Sequence, residues 1–149
     1  MSRLQTDSET IEVRSSSVHG LGVFARVKLR RNEVVGIYEG RRHKGDPTPR
    51  PDGLTYLFSL SDGGFIDGGE GGNATRHINH SCEPNCWAQE FWGADGLGVM
   101  IKARRAIKEG AELFLDYDLA VDPNEDLARY ACYCAALTCR GSMVTPDAQ

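Results

Sequence analysis

The sequence lacks the hydrophobic segments that insert a chain into a membrane or target it for export. No run approaches the eighteen or so apolar residues that a membrane-spanning helix needs. The N-terminus, Met-Ser-Arg-Leu-Gln-Thr-Asp, has no basic stretch followed by an apolar one, so it does not resemble a secretory signal. We therefore expect the protein to act in the cytoplasm or the nucleus.

Two common catalytic signatures are also missing. No Gly-x-Ser-x-Gly elbow is present. His80, Ser81 and Cys82 are neighbours in sequence, whereas the members of a catalytic triad are usually brought together by the fold. The glycine-rich stretch 68–72 is not followed by Gly-Lys-Ser/Thr, so we interpret it as a flexible connection and not as a phosphate-binding loop. The sequence predicts neither a hydrolase nor a nucleotide-binding P-loop.

Positive charge is scarce in the C-terminal part. The net charge is −4; residues 1–50 carry ten Lys or Arg against six Asp or Glu, and residues 51–149 carry seven against fifteen. Non-specific DNA binding requires clustered positive charge, so we expect no direct nucleic-acid binding. An acidic half suits a cationic protein partner, and the alternative is an acidic surface that only contacts solvent. The oligomeric state is not predicted.

Helical patterns are rare, and short strand patterns fill most of the 149 residues. The 40 % apolar and 26 % charged content is that of one globular domain. We predict a helix only at residues 124–130, and a surface loop at the basic, Pro- and Gly-rich residues 40–53. Closely spaced strands predict a mainly β fold; they are expected at residues 11–13, 23–25, 33–39, 56–60, 65–67, 87–92, 98–103 and 112–116.

The stretch from Gly72 to Cys86 matches neither helical nor strand periodicity. It holds two histidines, two cysteines, an arginine and several asparagines within fifteen residues. Ordering so many polar groups is costly unless they bind something. We therefore interpret this stretch as a site.

Three cysteines near the C-terminus suggest a metal. Cys132, Cys134 and Cys139 lie within eight residues, and zinc prefers four thiolate or imidazole ligands in a tetrahedron. Cys82 is a plausible fourth ligand. The alternatives are that the thiols are simply buried, or that the fourth ligand is Cys86 or a histidine. Under the first assignment Cys86 is left over as a buried thiol.

Three motifs together resemble the SET-domain protein lysine methyltransferases. Asn79-His80-Ser81-Cys82 followed by Glu-Pro-Asn resembles the family signature, and Glu112-Leu-Phe-Leu-Asp116-Tyr117 resembles its second motif. Residues 132–141 resemble its zinc-binding post-SET tail. The resemblance runs from about residue 13 to residue 143. It implies several small sheets, with a C-terminal segment threaded, like a pseudoknot, through a loop beside Asn79–Cys82. The implied organisation is a disordered N-terminus (1–10), a SET domain (11–118) and a post-SET tail (119–149).

The resemblance also implies a cofactor and a catalytic channel. Family members transfer methyl groups from S-adenosylmethionine to a lysine amine. The residues at the matching cofactor positions are His19, Gly20, Gly22, Arg76, Asn79, His80 and Tyr117. Tyr117 is the expected catalytic residue, and the channel around it is expected to contain Tyr38, Tyr56, Phe58 and Leu115. His77 departs from the more usual phenylalanine and is interpreted as a packing residue.

The implied substrate is a lysine of a basic protein such as a histone. The acidic residues Asp116, Asp118, Asp122, Glu125 and Asp126 are expected to attract it.

Leu115 stands where the family usually has phenylalanine or tyrosine. A tyrosine there holds a water that limits the reaction, so Leu115 predicts multiple methylation. The alternative function is an inactive, zinc-stabilised module that binds peptides.

Overall fold

The computed structural model describes residues 10–17, 20–44, 57–94, 96–116, 137 and 139. Within them the chain forms strands and one short 3₁₀ helix, Ala74–His77. The predicted mainly β class is confirmed. The strands are β1 (Ile11–Ser15), β2 (Leu21–Ala25), β3 (Val34–Ile37), β4 (Arg41–Lys44), β5 (Leu57–Ser59), β6 (Gly64–Asp67), β7 (Asn79–His80), β8 (Cys86–Gly93), β9 (Gly96–Ala103) and β10 (Glu112–Leu115).

The strands form three small sheets with the orders β1-β2-β10-β7, β3-β9-β8 and β4-β6-β5. Among the described strands, β8 and β9 form the longest hairpin, paired from Cys86↔Ala103 to the turn at Gly93↔Gly96. No helix among the described residues is long and apolar enough to cross a membrane. The predicted helix at 124–130 and the residues before Thr10 lie outside the described part of the chain.

Strand β10 joins the distant parts of the first sheet. It pairs antiparallel with β2 and parallel with β7. The side chain of Asn85, 8 % exposed, bonds to its main chain: Nδ2 donates to the Glu112 carbonyl at 2.8 Å, and the Phe114 N–H donates to Oδ1 at 2.8 Å. Asn85 thus satisfies two main-chain groups of β10 that would otherwise need other partners.

The core consists of aliphatic side chains on alternate positions of these strands. Val99, Ile101 and Ala103 of β9 are fully buried, with more exposed residues between them. Val23 of β2 and Leu113 of β10, which are paired in register, are also fully buried. Each buried Val, Ile or Leu side chain contributes about 1.5–3 kcal/mol by leaving water. The sheets are therefore held by a shared apolar cluster.

Two stretches differ from their predictions. Arg41–Lys44, predicted as loop, forms β4 because it pairs with β6 and because His43 stacks on Phe65 at a ring distance of 5.0 Å. Tertiary pairing here overrides weak strand propensity.

The glycine-rich residues 68–72 form a hydrogen-bonded turn and not a flexible connection. The Gly69 N–H donates to Asp67 Oδ1 at 2.8 Å, and a Cβ on Gly72 would collide with the Gly68 carbonyl.

Candidate active site

The segment Gly72–Cys86, which has no regular period, begins as a capped 3₁₀ helix. Asn73 caps it: its Oδ1 accepts from the Thr75 N–H at 3.1 Å, and its Nδ2 donates to the Ile37 carbonyl at 2.8 Å. Ile78, 2 % exposed, then anchors the chain in the core. The next two residues form β7, and the Ser81 N–H donates to the Leu115 carbonyl at 2.9 Å. The local order therefore comes from side-chain capping and from pairing with β10.

Asn79 lies at the centre of a polar group. Its Nδ2 donates to the Leu21 carbonyl at 2.9 Å and to Glu112 Oε2 at 3.0 Å. Ser16 Oγ donates to the same Glu112 carboxylate at 2.9 Å. A Cβ on Gly22 would collide with this carboxylate, so a larger residue there would displace the Glu112 side chain. These contacts fix the orientation of the Asn79 amide.

Gly20 lies beside this group, and together they form a polar wall around Asn79. Its φ of 45° is in the left-handed region that glycine adopts without strain, and its carbonyl accepts from the Ser16 N–H at 2.7 Å. The turn leaves Gly20 exposed and Gly22 buried. His19, also predicted to contact the cofactor, lies outside the described residues.

His80 links the two predicted motifs. It is 5 % exposed and pairs in register with Leu115. Its Nδ1 lies 3.7 Å from Asp116 Oδ1, and its Nε2 lies 3.5 Å from Cys82 Sγ. The imidazole therefore lies between the Asp116 carboxylate of one motif and the Cys82 thiol of the other.

Two of the four predicted zinc ligands are described, and they are close together. The Sγ atoms of Cys82 and Cys139 are 3.9 Å apart although the residues are 57 positions apart in sequence. Cys132 and Cys134 lie outside the described residues. Cys86 is buried, as predicted, at 1 % exposure, and burial raises the pKa of its thiol to about 12. Cys86 thus stays protonated near neutral pH.

The described channel residues share one apolar cluster. The rings of Tyr38 and Phe58 are 5.1 Å apart and tilted by 52°, within the range of favourable aromatic pairs. Tyr38 and Leu115 are buried, and Phe58 packs against the same cluster. The tip of Tyr38 lies against Gly68, where an added Cβ would come within 2.7 Å of the hydroxyl. Tyr56 and Tyr117 lie outside the described residues.

Arg76 contacts the glycine-rich turn and its own neighbour. Its Nη1 donates to the Gly68 carbonyl at 3.2 Å, and its Nε donates to His77 Nε2 at 3.1 Å. Burial and the Arg76 charge lower the pKa of His77, which favours the neutral acceptor form. These contacts agree with His77 as a packing residue. They give Arg76 a structural role, while its predicted role at the cofactor stays a prediction.

In a comparison with known protein families, residues 20–118 match the sequence model of the SET-domain family. The chain belongs to the SET-domain family. Its relatives include histone-lysine N-methyltransferase set-2 of Caenorhabditis elegans, 31 % identical over 95 % of this chain and 10 % of that protein. Another is histone-lysine N-methyltransferase MEDEA of Arabidopsis thaliana, 37 % identical over 76 % of this chain and 17 % of that protein.

A solved structure, that of KRYPTONITE in complex with mCHG DNA and SAH, shares the fold. Its TM-score is 0.73 at 31 % identity, over 95 % of this chain and 30 % of that chain. The SET chain thus spans only a small part of the relatives it matches. The similarity confirms the predicted fold of several small sheets.

The SET domain contains two polar side chains, those of Glu112 and Ser16, that the sequence does not identify as part of the site. Glu112 appears there only as part of a motif, and Ser16 has no predicted role. The alternation of β10 was a usable signal for Glu112, because buried Leu113 and Leu115 place Glu112 on the opposite face. No sequence signal connected Ser16 to it, since the pairing of β1, β2 and β10 makes that contact.

Another group lies on the third sheet of the SET domain. Donor atoms of His43, Asp67 and Glu70 lie within 4.8 Å of one another. Glu70 also pairs with Arg41, whose Nη1 is 3.7 Å from Oε1. A guanidinium on the same carboxylate competes with a cation, so we interpret this group as part of the turn that follows β6 and packs against β4.

A cavity of about 370 Å³ opens where β3 ends, beside the β8–β9 hairpin. Its walls include Tyr38, Arg42, Ile66 and Phe91. Of the described channel residues, only Tyr38 contributes to these walls, and Phe58 and Leu115 do not.

Proposed function

We propose that this chain is a protein-lysine N-methyltransferase that uses S-adenosylmethionine. The observation that carries the proposal is the parallel pairing of β7 with β10, which places Asn79 beside Phe114 and His80 beside Leu115. The two SET motifs are thereby joined at one location, directly before Tyr117. Several relatives are named histone-lysine N-methyltransferases, which supports this chemistry.

The proposed cofactor site is the polar wall around Asn79. When bound, S-adenosylmethionine supplies a methyl group on a positively charged sulfonium. Asn79, His80, Arg76, Gly20, Gly22, His19 and Tyr117 are the residues proposed to hold it. The wall fits a polar ligand because the Asn79 amide is fixed by two hydrogen bonds, and the space beside the Gly20 backbone is open.

The proposed acceptor channel is aromatic and apolar. A lysine amine has a pKa of ~10.4 in water and must lose its proton to act as a nucleophile. Burial among Tyr38, Phe58, Tyr56 and Leu115 disfavours the charged form, as does a nearby sulfonium. Tyr117 is proposed to place its hydroxyl beside the reacting nitrogen. Alignment of the amine with the methyl group then accounts for much of the rate.

The proposed zinc site joins the C-terminal tail to the Asn79–Cys82 segment. Two thiolates on one tetrahedral zinc, each about 2.3 Å from the metal, lie about 3.8 Å apart. The Cys82–Cys139 separation of 3.9 Å fits that geometry. Cys132 and Cys134 would complete the ligand set. Zinc bound there would hold the tail beside His80, next to the proposed cofactor site.

The proposed substrate is a lysine in a basic protein such as a histone. The names of the relatives support histones, and with them action in the nucleus. The acidic residues from Asp116 to Asp126 would favour an approaching cationic peptide.

A catalytically inactive, peptide-binding SET module is the second candidate. The presence of Tyr117, Asn79 and His80 favours an enzyme.

One experiment separates these candidates. The chain is incubated with methyl-labelled S-adenosylmethionine and mixed histones, and cofactor binding is measured by calorimetry. We expect label on histone lysine in wild type. In Tyr117→Phe we expect unchanged cofactor binding and a single-turnover rate lower by about 10²–10³, typical for one positioned catalytic group. Cofactor binding without transfer to histones or to cell-extract proteins would favour the inactive module.

A further inference from the structure

Two basic segments that are distant in sequence lie side by side. Leu29 and Ile107 exchange two main-chain hydrogen bonds of 2.9 Å. Towards one end the Ala25 N–H donates to the Ala111 carbonyl at 2.9 Å, and towards the other the Asn32 N–H donates to the Ala103 carbonyl at 2.8 Å. Residues 26–33 and 104–109 therefore form one antiparallel structure, which we call the basic ribbon.

The inner side of the basic ribbon is apolar and its outer side is cationic. Leu29 is 0 % and Ile107 3 % exposed, so the residues on either side of each point away from the core. Among these segments only two residues are acidic, Glu33 and Glu109. The exposed cations are Arg26, Lys28, Arg30, Arg31, Arg104, Arg105 and Lys108.

The basic ribbon has a positive net charge, whereas the net charge of the whole chain is negative. Seven cations and two carboxylates leave a balance of +5 in a chain whose net charge is −4. Within the described residues, no ion pair joins Lys28, Arg30 or Lys108 to a carboxylate. Like charges held this close repel one another. A polyanion on this face would relieve that repulsion.

We propose that the basic ribbon binds the phosphodiester backbone of duplex DNA. Six residues span at most about 20 Å, and that length of duplex carries about twelve phosphate charges. The ribbon can therefore meet several phosphates at once. Five of its seven cations are arginines, whose planar guanidinium groups donate two parallel hydrogen bonds to a phosphate.

The uncharged side chains on the ribbon favour duplex DNA over other polyanions. The exposed ones are Val27, 41 % exposed, Asn32 and Ala106, and none of them is aromatic. Single strands are usually bound by stacking their bases on aromatic rings, and protein interfaces usually centre on large aromatic anchors. Neither feature is present in the ribbon. Backbone contacts of this kind position a protein on DNA and carry no sequence information.

This inference differs from the expectation based on charge along the sequence, which predicted no nucleic-acid binding. It rests on the charges of this chain and not on the DNA in the matched KRYPTONITE complex. It is also independent of the proposed methyltransferase activity. DNA binding is measured without cofactor or peptide, so either proposal can fail alone.

The test is fluorescence anisotropy with a labelled duplex of mixed sequence and about 20 base pairs, at about 50–200 mM salt. Each neutralised phosphate contributes about −0.9 to the slope of log K against log salt. With four or five contacts we expect a slope of about −4. The same measurement with single-stranded RNA and with polyglutamate tests the other two classes of polyanion.

A pair of variants locates the binding face. Lys28→Ala/Lys108→Ala removes two ribbon cations, and Arg41→Ala/Lys44→Ala removes two exposed cations from β4. We expect the ribbon variant to bind DNA about tenfold more weakly, with a slope shallower by about two, and the β4 variant to stay within twofold of wild type. Thermal unfolding checks that both fold. Equal losses in both variants, no binding by wild type, or tighter binding to RNA or polyglutamate would overturn the proposal.

Discussion

Asn79 and Glu112, which are 33 positions apart in sequence, are joined by a hydrogen bond of 3.0 Å from Nδ2 of the amide to Oε2 of the carboxylate. Glu112 also accepts from Ser16, so three segments meet at one carboxylate. The carboxylate has no predicted role in catalysis. Its position makes it a positioning residue for Asn79.

We predict that Glu112→Ala weakens S-adenosylmethionine binding about tenfold. The loss of a hydrogen bond to a charged group costs about 1.5–3 kcal/mol, and about 1.4 kcal/mol is a factor of ten. Calorimetry measures the affinity, and elemental analysis checks that bound zinc is unchanged. Glu109→Ala, an exposed position in the turn before β10, is the control. A wild-type affinity in Glu112→Ala would show that Asn79 needs no such support.

The proposed zinc site predicts that removal of one ligand lowers two quantities together, the bound zinc and the affinity for the cofactor. Cys132→Ser should lower both bound zinc and cofactor affinity, because the tail would no longer be tied to Cys82. Cys86→Ser should lower neither, since Cys86 is buried apart from the proposed ligand set. Elemental analysis and calorimetry give the two readouts. Full zinc in Cys132→Ser would refute the assignment.

Cys86 predicts a stability change at alkaline pH. Burial raises the pKa of its thiol from 9.0 to about 12. The unfolded chain therefore loses this proton at a lower pH than the folded chain. The contribution of the Cys86 thiol to the free energy of unfolding is fully present below pH 9.0. It is lost as the pH rises towards 12, at up to about 1.4 kcal/mol per pH unit.

The comparison that isolates this effect is wild type against Cys86→Ala in urea unfolding at several pH values from about 8 to about 10.5, a range that spans the ordinary thiol pKa. Other groups titrate equally in both proteins, so the difference in unfolding free energy should narrow as the pH rises. A constant difference across that range would contradict the raised pKa.

Leu115 predicts the number of methyl groups added. It is 6 % exposed in the cluster that contains Tyr38 and has no hydroxyl to hold a water in the channel. Wild type should therefore add more than one methyl group, and Leu115→Tyr should shift the products towards monomethylation. Mass spectrometry of a peptide time course measures both. A wild type that stops at one methyl group, with no change in Leu115→Tyr, would show that another residue sets the limit.

The mainly β class and most strands followed from the sequence because alternating apolar residues identify a half-buried strand directly. Val99, Ile101 and Ala103 show that pattern and are buried as it requires. The motif around Asn79 was identified by residue type. Strand β4 was missed because its four polar residues have no alternation, and its pairing with β6 is a tertiary contact.

Residue type and spacing were enough to predict the candidate site residues Asn79, His80 and Cys82 and the motif in β10, because these motifs are local. Which of these residues contact one another depends on the fold. The contact of Glu112 with Asn79 and Ser16, the 3.9 Å between Cys82 and Cys139, and the pairing of residues 26–33 with 104–109 all join segments that are distant in the chain. Such contacts depend on long-range strand pairing and on the burial of side chains such as Leu29 and Ile107. A count of charges along the sequence therefore gave an acidic half, whereas the folded chain presents a basic face.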